Sequence, residues 1–383
     1  MGIKFAAAYA NPQPSGMVKI FQAIEKMEGV LNLSIGEPDF DTEHDIIDEA
    51  AKAAHAGFTH YPPLQGFLDA REAVCGYWKR HHKLDSKPEE VLFTAGAIQI
   101  SYLVMQALLD RGDEVILIEP YFGPYSLQVK SCGGVPVPIK TTEENGFAPT
   151  KADLEKAITP KTKIILLNSP CNPSGRVIPR KQLEEIAELA AKHDIFVISD
   201  EIYESLVYKG EHTAFATLPG MRERTLTMAG LSKSHCMTGW RVGYAIAPAA
   251  LTNALTIISA NETYGLNTLA QKGSAYALNT QDAKLIERKK IFIDRMNTTV
   301  ARLNKMKGVT CASPEGAFYL FPNIKGTGYK SEDFVWKLLE GAKVGTIPGN
   351  AFGASGEGYI RIACTQSTEV LNKAMDRMEA FLG

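Results

Sequence analysis

The chain has 383 residues, 45% hydrophobic and 22% charged, with a formal net charge of -2. That length suits two domains better than one, and the composition is that of a globular protein. The lack of a basic surplus argues against coating nucleic acid or an anionic membrane, and no apolar run reaches the roughly 18 residues that span a bilayer.

At the start of the chain, the apolar patch at residues 5–10 is followed at once by Asn11-Pro12. It is shorter than a secretory core of about 7–15 residues. Met1-Gly2 begins like a myristoylation signal, but Ala6 stands where Ser or Thr is needed. A cytoplasmic protein is expected. The six cysteines, Cys75, Cys132, Cys171, Cys236, Cys311 and Cys364, are far apart and form no C-x-x-C pair. Neither a disulfide framework nor a metal site is expected.

The first 45 residues are loop-rich. Beyond them, short β-rich runs alternate with helical stretches. Strands are expected at 91–94, 115–118, 135–139, 163–167, 195–199, 225–228 and 242–247. Several are apolar at nearly every position, as strands covered on both faces are. Residues 179–193 read as a helix that starts at Pro179 and turns Leu183, Ile186, Ala187 and Ala190 to one side. This βαβ rhythm implies an α/β fold with a mostly parallel sheet. Residues 282–307 read as one long helix whose many Lys and Arg form a solvated face, and the remainder as a smaller α+β unit.

Ligands of an open α/β sheet bind beyond the carboxyl ends of its strands. The loop Asn168-Ser169-Pro170-Cys171-Asn172-Pro173-Ser174-Gly175 follows one strand candidate, and Asp200-Glu201-Ile202-Tyr203 follows another. Ser232-Lys233-Ser234, and then Gly239-Trp240-Arg241, follow a third. A Lys with an Arg eight residues later places two cations near one spot, which suits a phosphate and lowers the lysine's pKa. Gly96 and Ala97 open a helix, leaving backbone N–H groups bare for an anion. Asp, Asn, Tyr, Lys and Arg thus converge on one rim. A pyridinium nitrogen wants the carboxylate, a phenolate oxygen the Tyr and Asn donors, a phosphate the Arg and Ser, and an aldehyde the lysine amine.

These residues resemble the fold-type I aminotransferases of class I/II, the aspartate aminotransferase superfamily. The resemblance runs in order from Leu33-Ser34-Ile35-Gly36-Glu37-Pro38-Asp39-Phe40 to Arg361. It takes in Tyr61-Pro62-Pro63, Glu119-Pro120-Tyr121, Asn172-Pro173, Ser199-Asp200-Glu201-Ile202-Tyr203, Ser232-Lys233, Gly239-Trp240-Arg241 and Pro314-Glu315-Gly316-Ala317-Phe318-Tyr319. Each motif alone is weak; the ordered set covers nearly the whole chain.

The resemblance implies a large domain with a mostly parallel seven-stranded sheet at residues 46–284 and a small α+β domain at 285–383. An N-terminal arm at residues 1–45 joins the small domain. The implied cofactor is pyridoxal 5′-phosphate, with Lys233 making the covalent link and shuttling the proton. Asp200 pairs with the ring nitrogen; Tyr203 and Asn172 bond the ring oxygen. Arg241, Ser232 and the backbone around Gly96, Ala97 and Ile98 hold the phosphate, and Phe122 stacks on the ring. Arg361 grips the substrate α-carboxylate, with Gly36 nearby. Tyr61 reaches the phosphate of a second subunit, implying a homodimer with shared sites. The implied reaction transfers the amino group of an L-amino acid to a 2-oxo acid, with 2-oxoglutarate as the expected acceptor.

Ile98 stands where many relatives are polar, His235 where an aromatic is common, and residues 259–264 lack a proline found in many relatives. These departures bear on substrate choice. Plainer roles stand beside the functional ones: Lys233 as a solvated charge, Asp200 as a helix cap, Arg241 as a structural ion pair, Arg361 as the partner of a surface acid, Asn172 as a turn former. Phe122 and Tyr61 have packing as their alternative, Gly36 backbone freedom. His60, His81 and His82 read as surface residues. Around the same cofactor, β-elimination (C–S lyase chemistry) and decarboxylation stay open. A nicotinamide dehydrogenase would need G-x-G-x-x-G after a strand, which is missing, and a non-catalytic relative would have lost Lys233 or Asp200.

Overall fold

The computed structural model describes residues 3–5 and 16–383. The expectations for residues 1, 2 and 6–15 therefore lie outside the described residues. The central sheet has seven strands: β1 (Val91–Ala95), β2 (Glu114–Ile118), β3 (Val135–Ile139), β4 (Thr162–Asn168), β5 (Phe196–Asp200), β6 (Thr225–Gly230) and β7 (Val242–Ile246). Their spatial order is β1-β7-β6-β5-β4-β2-β3, and β7 alone runs antiparallel to its neighbours. The expected α/β architecture is the observed one.

Helices α1 (Leu68–His82), α2 (Ala97–Leu108), α3 (Pro124–Ser131), α4 (Arg180–Lys192) and α5 (Asp282–Leu303) pack around this sheet or extend from it. In α4, Pro179 occupies the N-cap position, and Leu183, Ile186, Ala187 and Ala190 are buried. These side chains pack with Ile165, Leu167 and Val197 of β4 and β5. On the opposite face Ile100, Leu103 and Val104 of α2 cover Val115, Ile164 and Ile198. Each such side chain removed from water contributes about 1.5–3 kcal/mol. Burial on both faces explains the nearly unbroken apolar runs of β2 and β4.

Strand β5 ends one residue later than expected, so Asp200 is the last residue of the strand itself. It pairs in register with Asn168 at the end of β4. Strand β6 continues to Gly230, which brings the one-turn helix Leu231–Ser234 directly onto the strand end. Asn168, Asp200 and Lys233 therefore leave the sheet along one edge.

A second core combines the N-terminal and C-terminal segments. Ile20 of the helix Gly16–Ile24 and Leu33 pack with Phe292, Phe318, Phe334, Ile360 and Met378. A short antiparallel sheet sets Ile360–Ala363 between Ile347–Pro348 and Tyr319–Leu320. Tyr203 and Leu206 of the large sheet's loop reach into this core. Residues 31–32 pair in parallel with 344–345, which ties the start of the chain to its last third.

The long helix corrects one reading. Arg288 and Arg295 of α5 are buried rather than solvated. Arg288 pairs with Glu43 at 2.7 Å, and Arg295 with Asp39 at 2.7 Å. Both acids belong to the N-terminal segment, so two of the eight Lys and Arg of residues 282–307 serve to anchor it.

Candidate active site

Where the strand ends of the large sheet meet the second core, they enclose a cavity of about 310 Å³. Gly36, Ala97, Ile98, Phe122, Asn172, Asp200, Tyr203, Ser232, Lys233, Arg241 and Arg361 all line it. Sequence reasoning singled out each of them.

Asp200 lies at the floor, 5% exposed. Its Oδ1 accepts the Ile202 N–H at 3.1 Å, and its Oδ2 accepts the Tyr125 hydroxyl. Burial pushes the carboxyl up to about 6, against the pull of these two donors. The helix-cap reading survives only in the Ile202 contact; the other oxygen faces the cavity wall.

Lys233 donates to the Gly36 carbonyl at 2.7 Å. Burial lowers its amine to about 8; Glu37 opposes the shift, and Arg361 and Arg241 add to it. A half-buried amine that bonds a backbone carbonyl, with its pKa lowered, does not match the solvated-charge reading.

Arg361 is 3% exposed. Its NH1 donates to Asn172 Oδ1 at 2.9 Å, and its NH2 to the Ser34 carbonyl. Its guanidinium lies 4.7 Å from the Tyr319 ring centre and 5.1 Å from that of Phe352. Its Nε is buried without a partner among the described residues. A surface ion pair is therefore excluded: the described partners are neutral, and the side chain keeps an unused donor and an uncompensated charge beside the cavity.

Asn172 is fixed in turn, because its N–H donates to Asn168 Oδ1 at 2.8 Å and Asn168 Nδ2 donates to the Asp200 carbonyl at 3.2 Å. Tyr203 is 3% exposed, with its hydroxyl 2.8 Å from that of Tyr319. Phe122 meets Tyr125 edge-on, ring centres 5.5 Å apart.

At the other end, Gly96 precedes α2 with φ of +79°, a region open to glycine. A Cβ there would fall 2.5 Å from Arg241 NH2, so the guanidinium lies directly against the helix start. Arg241 also donates to the Thr238 carbonyl at 2.9 Å. Arg241, Ser232 and the first residues of α2, Ala97 and Ile98, thus line the same cavity, where a helix start and a guanidinium favour an anion.

Tyr61 is not brought into this cavity. It is 82% exposed and meets Tyr264 edge-on at 5.1 Å in a separate surface groove. His82 corrects another expectation. Its side chain is only 7% exposed and lies 3.2 Å from the buried Glu204 carboxylate. His81 is exposed and pairs with Asp282 at 3.0 Å.

Sequence reasoning missed several lining residues: Met17, Phe21, Tyr125, Met228 and Tyr319. Tyr125 left one signal, its place three residues after Phe122 in the same loop-to-helix turn. Met17 and Phe21 come from the N-terminal helix and left none.

A profile of the aminotransferase class I and II family matches residues 28–378. A putative aminotransferase of Bacillus subtilis strain 168 is 42% identical over 371 residues, covering 97% of this chain and 96% of that one. The aromatic-amino-acid aminotransferase 2 of Thermococcus litoralis is 40% identical over 373 residues, covering 96% of each. The solved structure of Thermus thermophilus aspartate aminotransferase with maleate superimposes with a TM-score of 0.94 at 35% identity, covering 99% of both chains. The protein belongs to the class I and II aminotransferases.

Proposed function

We propose that this aminotransferase carries pyridoxal 5′-phosphate in the cavity and passes the amino group of an L-amino acid to 2-oxoglutarate. The observation that carries this reading is the meeting of Lys233, Asp200 and Arg361 in one cavity. The residues fit the group in three further respects. The amine is shifted to about 8 by burial, Arg361 Nε lacks a partner, and Arg241 abuts the opening of α2 at Gly96.

Arg241, Ser232 and the backbone at Gly96, Ala97 and Ile98 would hold the phosphate. Asp200 would face the ring nitrogen, Tyr203 and Asn172 the ring oxygen, and Phe122 the ring face. When bound, the cofactor supplies an electron sink for the pair left as an amino acid loses its α-proton.

The protein's own groups do the rest. Lys233 Nζ would hold the cofactor's aldehyde carbon and, once displaced from it by the substrate's amino group, would carry the α-proton as a free amine, a task its lowered pKa of about 8 suits. Arg361 receives the α-carboxylate on its free edge, and its two neutral partners keep the guanidinium plane fixed. Tyr125 and Ile202 donate to the Asp200 oxygens, which would favour its charged form opposite the ring nitrogen. The Tyr203 hydroxyl and the Asn172 amide would orient the ring.

Two copies of the chain would complete each other's sites, with the exposed Tyr61 reaching the partner's phosphate. The chain divides into an arm at 1–45, a cofactor domain at 46–284 and a small domain at 285–383. The core joining Leu33 to Ile360 supports that division. No helix among the described residues is long and apolar enough to cross a membrane, in keeping with a cytoplasmic site of action.

The test is a coupled assay of purified enzyme with a panel of L-amino acids and 2-oxoglutarate. Stoichiometric glutamate supports the proposal. Ammonia and pyruvate without glutamate would point to elimination and reject it.

A further inference from the structure

Tyr319 stands between the parts of the site, and the reading above leaves its hydroxyl without a task. It lies on the short strand Tyr319–Leu320 and is 2% exposed. One face of its ring carries the Arg361 guanidinium at 4.7 Å. Its hydroxyl lies 2.8 Å from the Tyr203 hydroxyl, and the two rings meet at 84° with centres 5.6 Å apart. A Cβ on Gly36 would fall 1.9 Å from the same hydroxyl, so only glycine fits beneath it. Gly36 in turn accepts the Lys233 amine at 2.7 Å. One side chain thus touches the carriers of the carboxylate site, the ring-oxygen site and the amine.

A phenol has one proton to give. When Tyr203 spends its proton on an acceptor in the cavity, the 2.8 Å contact requires Tyr319 to be the donor. We propose that Tyr319 is a positioning residue of the amino-transfer reaction, whose hydroxyl donates to Tyr203 Oη and strengthens Tyr203 as a donor to the cofactor's ring oxygen. The inference rests on the cofactor assignment made above.

The sign of the effect follows from electrostatics. A hydrogen bond accepted at Oη polarises the Tyr203 O–H. A stronger donor stabilises negative charge on the ring oxygen, and a better-stabilised anion holds a neighbouring proton less firmly. The Tyr319 hydroxyl therefore lowers the pH at which the Lys233–cofactor link loses its proton. The ring below Arg361 is untouched by loss of the hydroxyl, so carboxylate binding is spared.

The experiment is a pH titration of the visible absorbance of reconstituted wild type, Tyr319→Phe, Tyr203→Phe and the double variant, with steady-state kinetics beside it. Tyr319→Phe is expected to raise the titration midpoint by about half to one pH unit, the worth of one hydrogen bond. It should lower kcat several-fold with KM for the amino acid nearly unchanged. The double variant should match Tyr203→Phe alone, because Tyr319 acts through Tyr203. A merely structural role predicts no midpoint shift. An unchanged midpoint in Tyr319→Phe, or shifts that add in the double variant, would overturn the inference alone. A wild type with no pH-dependent visible band would overturn it together with the cofactor assignment.

Discussion

The Lys233 amine and the Gly36 carbonyl oxygen are 2.7 Å apart, joining residues 197 positions distant in the chain. This carbonyl fixes the amine at the cavity. In cofactor-free protein, Lys233 should react with formaldehyde and borohydride along a pH curve centred near the value of about 8 that burial imposes, not the ordinary 10.5. Arg361→Leu removes a nearby positive charge and should move that midpoint up. Peptide mass spectrometry of the methylated lysine measures both, and a wild-type midpoint near 10.5 would contradict the site's electrostatics.

Arg361 lines the cavity, has a buried Nε with no partner among the described residues, and bonds only neutral groups there. Arg361→Ala should lower kcat/KM at least ~100-fold, because charge-assisted hydrogen bonds contribute about 1.5–3 kcal/mol each. Cofactor content after dialysis should stay at the wild-type level. Parallel loss of both would remove Arg361 from the carboxylate role.

Tyr125 donates to Asp200, whose carboxyl burial already raises to about 6. Tyr125→Phe deletes a bond that favours the charged carboxylate, so its pKa rises further. The acid limb of the kcat/KM profile should move to higher pH by about one unit. A limb that stays in place, or moves to lower pH, would show that Asp200 ionisation does not limit activity there.

His235 is buried at 1% exposure, with Nδ1 2.8 Å from Ser234 Oγ and Nε2 without a partner among the described residues. Burial pushes its imidazole down from 6.5 to about 4. The unfolded chain binds this proton first, so the native state loses stability as pH falls from about 6.5 towards about 4. His235→Phe abolishes that loss. Measured by urea denaturation, the variant should gain about 2 kcal/mol relative to wild type between pH 7 and pH 5. An equal difference at both pH values would mean that His235 does not titrate in that window.

What the sequence disclosed, and what it hid, divides by the range of the interactions. The apolar runs of β2, β4 and β5 announce buried strands because burial on both faces is written locally, residue by residue. Asp200, Asn172, Lys233 and Arg241 stood out in the sequence because each lies at or soon after the expected carboxyl end of a strand, where a parallel sheet opens its ligand site. Tyr319 and Tyr125 were not, since a buried tyrosine in an apolar run reads as core until its hydroxyl's partner is known. Those partners, Tyr203 and Asp200, lie 116 and 75 positions away. His82 was misread for the same reason: it ends a helix, but Glu204, 122 positions on, meets it there. Arg288 and Arg295 sit in a lysine-rich run, and their acidic partners Glu43 and Asp39 lie 245 and 256 positions away in the chain.

The central claim is a covalent bond between Lys233 and the cofactor, and borohydride reduction followed by peptide mapping tests it most directly. The account predicts a pyridoxyl-phosphate adduct on the peptide bearing Lys233, and none on any peptide of Lys233→Ala. An adduct on another lysine, with Lys233 unmodified, would contradict it.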